Sequence, residues 1–444
     1  MTYDEAMAFW FGRINYEVRS ATPTDLKLER MRALLRLLDD PHERLRIVHV
    51  TGTKGKGSTS AMLASILRSA GYRVGLYTSP HLVHVEERIR VNETPISREE
   101  LTAGMEAIAP AVRKLEAGPW APPTFFEIST ALGFWHFLHR RVDVAVVEVG
   151  LGGRFDSTNV CRPLVAIITS IGMDHMAQLG NTPEAIAFQK AGIIKPRIPT
   201  VSGVTQPGPR AVIAEVAASQ GSPLVQVGTD YQTEYAPATS DGPAQVKVLT
   251  RARATDWLRL GLLGAHQAAN AGVAVATVER LREAGLTITE AALARGLAEV
   301  RWPARIEVLR RQPAIVLDCA HNEPSALALV QTLRESLPIP GKKIVILGVS
   351  SDKPYAEMLR HFAGYFDRFV LTRYGNNPRS VPPERLRDVL TEQGWAGEIR
   401  CHATAQEAWQ ASRAELGPDD LLCATGSVFL AGELEGRMRE DQIA

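Results

Sequence analysis

The chain has 444 residues, a formal charge of +1 and 22% charged residues. At about 150 residues per domain it is too long for one core, so two domains are expected, and the balanced charge excludes a chain built as a whole for nucleic acid or an anionic membrane. Residues 1–20 lack the basic start and apolar core of a signal peptide, no apolar run is long enough to span a bilayer, and Cys161, Cys319, Cys401 and Cys423 form no C-x-x-C pair; the expectation is a soluble cytoplasmic protein with reduced thiols and a small-molecule partner.

Residues 4–18 and 25–40 read as helices, the second with an apolar stripe of Leu28, Met31, Leu34, Leu35 and Leu38 that suits core packing. Next comes Val48-His-Val-Thr-Gly52-Thr-Lys-Gly55-Lys56-Gly57-Ser58-Thr59, a β-branched run, a glycine-rich loop and then a helix carrying Met62, Leu63, Ile66 and Leu67. Such a loop cradles phosphates: Gly52, Gly55 and Gly57 let backbone N–H groups approach an anion, and the helix start adds unpaired N–H groups and the positive end of its dipole. Lys56 supplies a point charge and the Ser58 hydroxyl suits Mg²⁺. The spacing departs from G-x-x-x-x-G-K-[ST] in that Gly57 stands between Lys56 and Ser58. A βα turn without a ligand is the bland reading; the strand and helix around the loop favour the phosphate site.

A strand at 73–77 leads to Thr78-Ser79-Pro80-His81-Leu82, where the Ser79 hydroxyl is the atom of interest and the His81/His84 spacing is read as incidental. Residues 124–141 form an aromatic-rich helix with a start signal at Thr124 and Glu127; Phe125 and Phe126 at its mouth belong either to the core or to a flat-ring site. The near-continuous β-branched run 142–150 is a strand covered on both faces, and its one late charge, Glu148, sits where ligands of open α/β sheets gather. A polar loop, Gly150 to Asn159, follows. Residues 164–175 repeat the pattern and end on Asp174-His175, which makes Glu148 and His175 candidate metal ligands, although a single such histidine is more often an interior hydrogen-bonded one. Lys190 lies in an apolar setting, where burial lowers the pKa and frees a neutral amine.

Residues 203–260 read as a peripheral β region, and an alanine-rich helix from about 262 to 282 carries His266 and Asn270. Trp302-Pro303 marks the hinge, giving domains 1–302 and 303–444. Strands at 314–318, 343–349, 368–372 and 421–425 make the second domain another mostly parallel doubly wound sheet, with Asp318-Cys-Ala-His321-Asn322 at a strand end and expected to face the first domain's site. The fold class is therefore α/β: a P-loop-containing doubly wound N-terminal domain plus a smaller Rossmann-like C-terminal domain.

Taken together, Thr51 to Ser58, Thr78 to Leu82, Glu148 to Asn159, Gly172 to His175, Lys190-Ala-Gly-Ile, His266 to Asn270, Asp318 to Asn322, Asn377-Pro-Arg379 and Ala424 to Ser427 resemble the folylpolyglutamate synthase/dihydrofolate synthase branch of the Mur ligase superfamily over nearly the full length. Peptidoglycan Mur ligases carry a nucleotide-sugar domain ahead of their phosphate loop, and the 51 residues that precede Gly52 here make the folate branch the expectation. The resemblance implies ATP phosphates on Gly55, Lys56, Gly57 and Ser58, with Asn270, Arg305 and Asp318 as further nucleotide contacts, the last two across an interdomain cleft. It implies two Mg²⁺ sites, one with Ser58, Ser79 and Glu148 and one with His175 and a carbamylated Lys190, and leaves room for a monovalent cation. Lys56, Lys190, His175 and His321 become the catalytic candidates, and Leu28, Thr124, Phe125, Phe126, Glu127, Phe155, Asp156 and Ser157 the pterin-binding ones. The chain departs from the family pattern at Lys27, where Gly is common, and at Ala304, which replaces the Gly of Pro-Gly-Arg.

The implied reaction is addition of L-glutamate to dihydropteroate, to tetrahydrofolates or to both through an acyl phosphate, by a monomer that binds neither nucleic acid nor membrane. A monofunctional folylpolyglutamate synthase is the nearest alternative. The readings from other classes are an ATP-gated switch, which would not need Lys190 beside two further metal ligands, and a kinase that stops at the phosphorylated acceptor, which a product heavier by a glutamyl unit excludes.

Overall fold

The structure, a computed structural model, describes residues 1–15, 27–240, 242–375 and 377–440. The chain divides into two compact units: residues 1–234, 247–258 and 269–300 form one, and residues 235–246, 259–268 and 301–444 the other.

The first unit is organised on eight strands: Ile47–Thr51 (β1), Val74–Tyr77 (β2), Ile89–Val91 (β3), Thr94–Pro95 (β4), Val144–Glu148 (β5), Val165–Ile168 (β6), Thr200–Ser202 (β7) and Leu224–Gln226 (β8). Their order is β4-β3-β2-β5-β1-β6-β7-β8, parallel from β2 to β8 with an antiparallel β3–β4 edge. Every residue of β1, β2, β5 and β6 is buried, as expected for strands covered on both faces. In register, Val50 lies beside Glu148 and Thr51 beside Ile168, so the carboxyl ends of β1, β5 and β6 open on one edge. That edge is where ligands of open α/β sheets bind.

The helix Lys56–Ser69 follows β1 and buries its middle from Ser58 to Leu67. It packs so closely on the helix Glu290–Glu299 that a Cβ on Gly296 would lie 2.4 Å from the Ile66 Cα. The helix Phe125–His139 opens with a reciprocal capping box between Thr124 and Glu127 and is buried on nearly all sides.

Strands Tyr231–Ala236 (β9), Gln245–Thr250 (β10) and Leu258–Arg259 (β11) form a three-stranded sheet in the order β11-β10-β9. The expectation of a β region from 203 to 260 misses the helix Pro207–Ser219. Two prolines and a glycine at its start resemble a loop, yet proline is favoured in the first turn, and Pro209, Ile213 and Ala217 give a buried stripe at four-residue spacing.

The second unit has six strands: Glu307–Arg311 (β12), Ala314–Leu317 (β13), Lys343–Leu347 (β14), Arg368–Leu371 (β15), Glu398–Cys401 (β16) and Leu421–Thr425 (β17). They run β12-β13-β17-β14-β15-β16, parallel except for β12. Among the described residues no helix is long and apolar enough to cross a membrane.

Candidate active site

The loop after β1 takes its shape from two glycines. Gly55 is the N-cap of the helix Lys56–Ser69 at φ +84°, and a Cβ there would fall 2.2 Å from the Asn270 Oδ1; a Cβ on Gly52 would fall 1.8 Å from the Thr169 Oγ1. Only glycine fits both places, and Asn270 is thereby seated against the loop. The residues after β6 pin it from the other side: Thr53 N–H donates to the Ser170 carbonyl at 2.8 Å, Lys54 N–H to the Ser170 hydroxyl at 2.9 Å, and the Thr169 hydroxyl to the Lys54 carbonyl at 2.6 Å. Gly57 and the buried Ser58 lie in the first turn of the helix, among its unpaired N–H groups.

Two lysines converge on one backbone oxygen. The Gly52 carbonyl accepts from Lys56 Nζ at 3.1 Å and from Lys190 Nζ at 2.8 Å. Lys190 is buried near the end of the helix Pro183–Ala191. Burial lowers its amine well below the ordinary lysine range, and the positive charges of Lys56 and Lys54 push the same way while Asp174 opposes them. Both lysines line a pocket with Gly52, Gly152, Asp174 and His175. Asp174 also pairs with Lys54 at 3.2 Å.

Glu148 ends β5 as a buried carboxylate, and Ser79, two residues beyond β2, is half-buried. His175 is not an interior histidine: it sits at φ +51° with 54% of its side chain exposed. Among the described residues no three His, Cys, Asp or Glu side chains form a metal-holding cluster.

The residues expected around a pterin separate into two groups. Phe125 is a core side chain, 1% exposed, stacked on Trp10 at 4.9 Å and lying under the Arg88 guanidinium. Glu127 accepts both from Arg30 Nε, at 2.8 and 3.0 Å, and from the Thr124 N–H, so Thr124 and Glu127 hold the helix start. By contrast Phe126 is half-buried with its ring against Gly150, Leu28 is half-buried, and Phe155 is 44% exposed. Asp156 caps the short helix Ser157–Val160 and accepts from the Leu151 N–H at 2.9 Å, the Thr158 N–H at 3.0 Å and the Thr158 hydroxyl at 2.5 Å. Burial raises the Asp156 carboxyl while these bonds oppose it. The Ser157 hydroxyl lies 2.8 Å from that of Thr130.

In the second unit Arg305 stands between two residues of positive φ, Ala304 at +55° and Ile306 at +48°. Asp318 fixes this turn: it accepts from the Ile306 N–H at 3.0 Å, the Ala320 N–H at 2.6 Å and the Thr425 hydroxyl at 3.1 Å. The glycine usual at position 304 is thus explained by a left-handed backbone. His321 Nδ1 lies 2.9 Å from the Cys319 carbonyl.

Residues 50–278 match the Mur ligase middle domain, and residues 304–428 the Mur ligase glutamate ligase domain. The dihydrofolate synthase/folylpolyglutamate synthase of Bacillus subtilis is 34% identical over 98% of this chain and 99% of its own, and the folylpolyglutamate synthase of Lacticaseibacillus casei 35% identical over 97% of each. The chain belongs to the folylpolyglutamate synthase/dihydrofolate synthase family. The crystal structure of the Thermotoga maritima folylpolyglutamate synthase superposes with a TM-score of 0.85 at 31% identity, covering 100% of this chain and 98% of that one. The Escherichia coli relative solved with DHPP and ADP also gives 0.85, at 29% identity over 100% and 99%.

Membership makes the protein an ATP-dependent Mur-type ligase with the mixed α/β architecture expected from its sequence. Several residues that shape this ligase site escaped the sequence reading. Thr51 donates its hydroxyl to the Gly152 carbonyl at 2.6 Å, and His49 meets Thr158 at 2.8 Å. Their signal was present: they are the only polar side chains of β1, on alternate residues of an otherwise apolar strand.

Proposed function

We propose that the protein adds L-glutamate to folate-type acceptors, both dihydropteroate and reduced folates, at the expense of ATP. The observation that carries the reading is the buried Lys190 amine aimed at the phosphate loop beside Lys56. A cation there would merely crowd Lys56; a neutral amine can attack CO₂, lose a proton and become a carbamate with two oxygen donors. The names of the relatives support the choice of acceptor and of glutamate.

The reaction begins as an acceptor carboxylate oxygen attacks the γ-phosphorus of ATP, giving an acyl phosphate and ADP. The glutamate amine then attacks the acyl carbon, loses a proton, and phosphate leaves as the amide forms. Lys56 and the N-terminal turn at Gly55 to Ser58 hold the phosphates, and Asn270 borders the same loop. Mg²⁺ takes one or two carboxylates and otherwise substrate phosphates and water, so Ser58, Ser79 and Glu148 suit one ion, and His175 with carbamylated Lys190 a second. Bound there, the ions would neutralise charge on the γ-phosphate. Arg305 and Asp318 are assigned to the nucleotide, with Asp318 positioning the Arg305 turn.

For the pterin, Phe126 and the exposed Phe155 offer ring faces, and Phe125 does not. Extension of reduced folates alone is the second reading, favoured by Asp156: three hydrogen bonds from its own loop already occupy its carboxylate. Purified protein with ATP, Mg²⁺ and glutamate is assayed against dihydropteroate and tetrahydrofolate separately. The expected product of each gains one glutamyl unit with stoichiometric ADP. Turnover of tetrahydrofolate alone rejects bifunctionality, and ADP release that does not depend on glutamate rejects the ligase.

A further inference from the structure

His49 is fully buried in the strand that leads into the phosphate loop, where its neighbours Ile47, Val48 and Val50 are all apolar. An apolar residue would serve the strand as well and would spare the desolvation of an imidazole. Its Nε2 lies 2.8 Å from the Thr158 Oγ1, and that hydroxyl in turn donates to the Asp156 Oδ1 at 2.5 Å. A hydroxyl carries one proton. Because the Thr158 proton goes to Asp156, the hydrogen of the His49–Thr158 bond belongs to the imidazole, which fixes the neutral Nε2–H tautomer. The other ring nitrogen, Nδ1, is then a bare lone pair, and no hydrogen bond from the described residues reaches it.

We propose that His49 is a positioning residue of the ligase site, acting through Thr158 to fix the Asp156 carboxylate and the Gly150–Asp156 loop opposite the phosphate loop. This rests on the ligase reading above. The loop is held at its start by the Leu151 N–H on Asp156 and in its middle by the Gly152 carbonyl on the Thr51 hydroxyl. Thr51 is two residues beyond His49, on the same face of the strand. One strand face thus ties both walls of the pocket that Gly52, Gly152 and Lys190 line. A neutral imidazole is what the relay requires, and burial, aided by the Lys195 charge, lowers the His49 pKa to about 3.

The test uses the full chain with His49→Phe, which keeps a ring and removes the donor, Thr158→Val, which keeps the shape and removes the hydroxyl, and His49→Gln, which restores an N–H donor. Misplacing a loop that orients reacting groups is expected to lower kcat on the order of 10-fold in the first two, with KM for ATP within about twofold. The double variant should be no worse than either single one, because both remove the same bond. Recovery of most of kcat in His49→Gln is expected. Unchanged kcat in a folded Thr158→Val protein, or multiplicative losses in the double variant, overturns the proposal.

A second measurement holds if His49→Phe does not fold or if no acceptor is turned over. The imidazole ¹⁵N spectrum of the wild-type protein should show His49 as the Nε2–H tautomer, constant from about pH 5 to pH 9 although a free histidine titrates near 6.5. The resonance should shift in Thr158→Val. An Nδ1–H tautomer, or titration near the free value, refutes the relay. An inactive wild type with the expected tautomer refutes the ligase reading instead.

Discussion

Lys190 and Gly52 meet across 138 positions of sequence, the buried amine donating to the loop carbonyl at 2.8 Å. The bond aims the amine at the phosphate site, and burial favours its neutral form. Lys190→Ala is expected to lose glutamate-dependent turnover, with partial rescue by a short carboxylic acid that replaces the carbamate. Protein equilibrated with ¹³C-bicarbonate should show one slowly exchanging carbamate resonance that Lys190→Ala lacks. Absence of that resonance in active wild-type protein refutes the carbamate.

Lys56 shares the Gly52 carbonyl with Lys190 and lies at the entrance to the helix Lys56–Ser69. Its side chain contributes little apolar burial, so Lys56→Ala should keep the far-ultraviolet circular dichroism and melting temperature of the wild type within a few degrees. Nucleotide turnover should fall at least on the order of 100-fold, in line with loss of a charged group that stabilises developing charge. A variant that unfolds, or one that keeps full turnover, contradicts the assignment.

The phosphate loop was legible because its three signals are local: a β-branched run, glycines where φ is positive, and an apolar period behind them. The reciprocal cap of Thr124 and Glu127 was legible for the same reason. What the two phenylalanines after Thr124 face was not, since a helix that is apolar on almost every side gives no period to separate Phe125, stacked on Trp10, from Phe126, against Gly150. The helix Pro207–Ser219 was hidden by its own N-terminal prolines, β3 and β4 are only three and two residues long, and the edge strands β12 and β16 carry charges that mask their period. The role of Asp156 depends on Leu151 and Thr158 folding around it, which no spacing rule encodes.

The imidazole of His49 also sets a pH dependence of stability. Its folded pKa is lowered to about 3, whereas an unfolded histidine titrates near 6.5. Between those values the unfolded chain binds a proton that the folded chain does not, so stability is fully present above about pH 6.5 and is lost as pH falls towards 3. The slope from one such group is about 1.4 kcal/mol per pH unit. Urea unfolding of wild type and His49→Gln at a series of pH values should therefore give curves that converge or cross on acidification, the wild type falling more steeply. Parallel curves would show that His49 is protonated in the native state.

Ala304 occupies a left-handed backbone at φ +55° and is buried in the turn that presents Arg305. The conformation costs an L-residue about 1–2 kcal/mol, while glycine adds about 0.4–1 kcal/mol of unfolded-state entropy. Ala304→Gly is accordingly expected to raise the stability of the second unit by up to about 1 kcal/mol and to leave ATP affinity unchanged. A urea midpoint below that of the wild type would mean that the Ala304 methyl packs more favourably than its backbone is strained.

Asp156 decides how far the two acceptor reactions share one apparatus. If it reads the pterin, Asp156→Ala should depress glutamylation of dihydropteroate more than that of tetrahydrofolate. The geometry favours the other outcome: the carboxylate is buried, accepts two backbone N–H groups and one hydroxyl, and thereby holds the loop that borders Lys190. Leaving those donors without an acceptor costs about 1–3 kcal/mol each where water cannot replace it, enough to displace the loop. Both reactions should then fall by a similar factor, on the order of 10- to 100-fold in kcat, as expected when reacting groups lose their alignment. Asp156→Asn is the sharper variant, because its single carbonyl oxygen can keep the Thr158 bonds while its amide turns a donor towards the Leu151 N–H. Equal loss in both assays with Asp156→Asn assigns the residue to the shared loop, and a loss confined to dihydropteroate assigns it to the pterin.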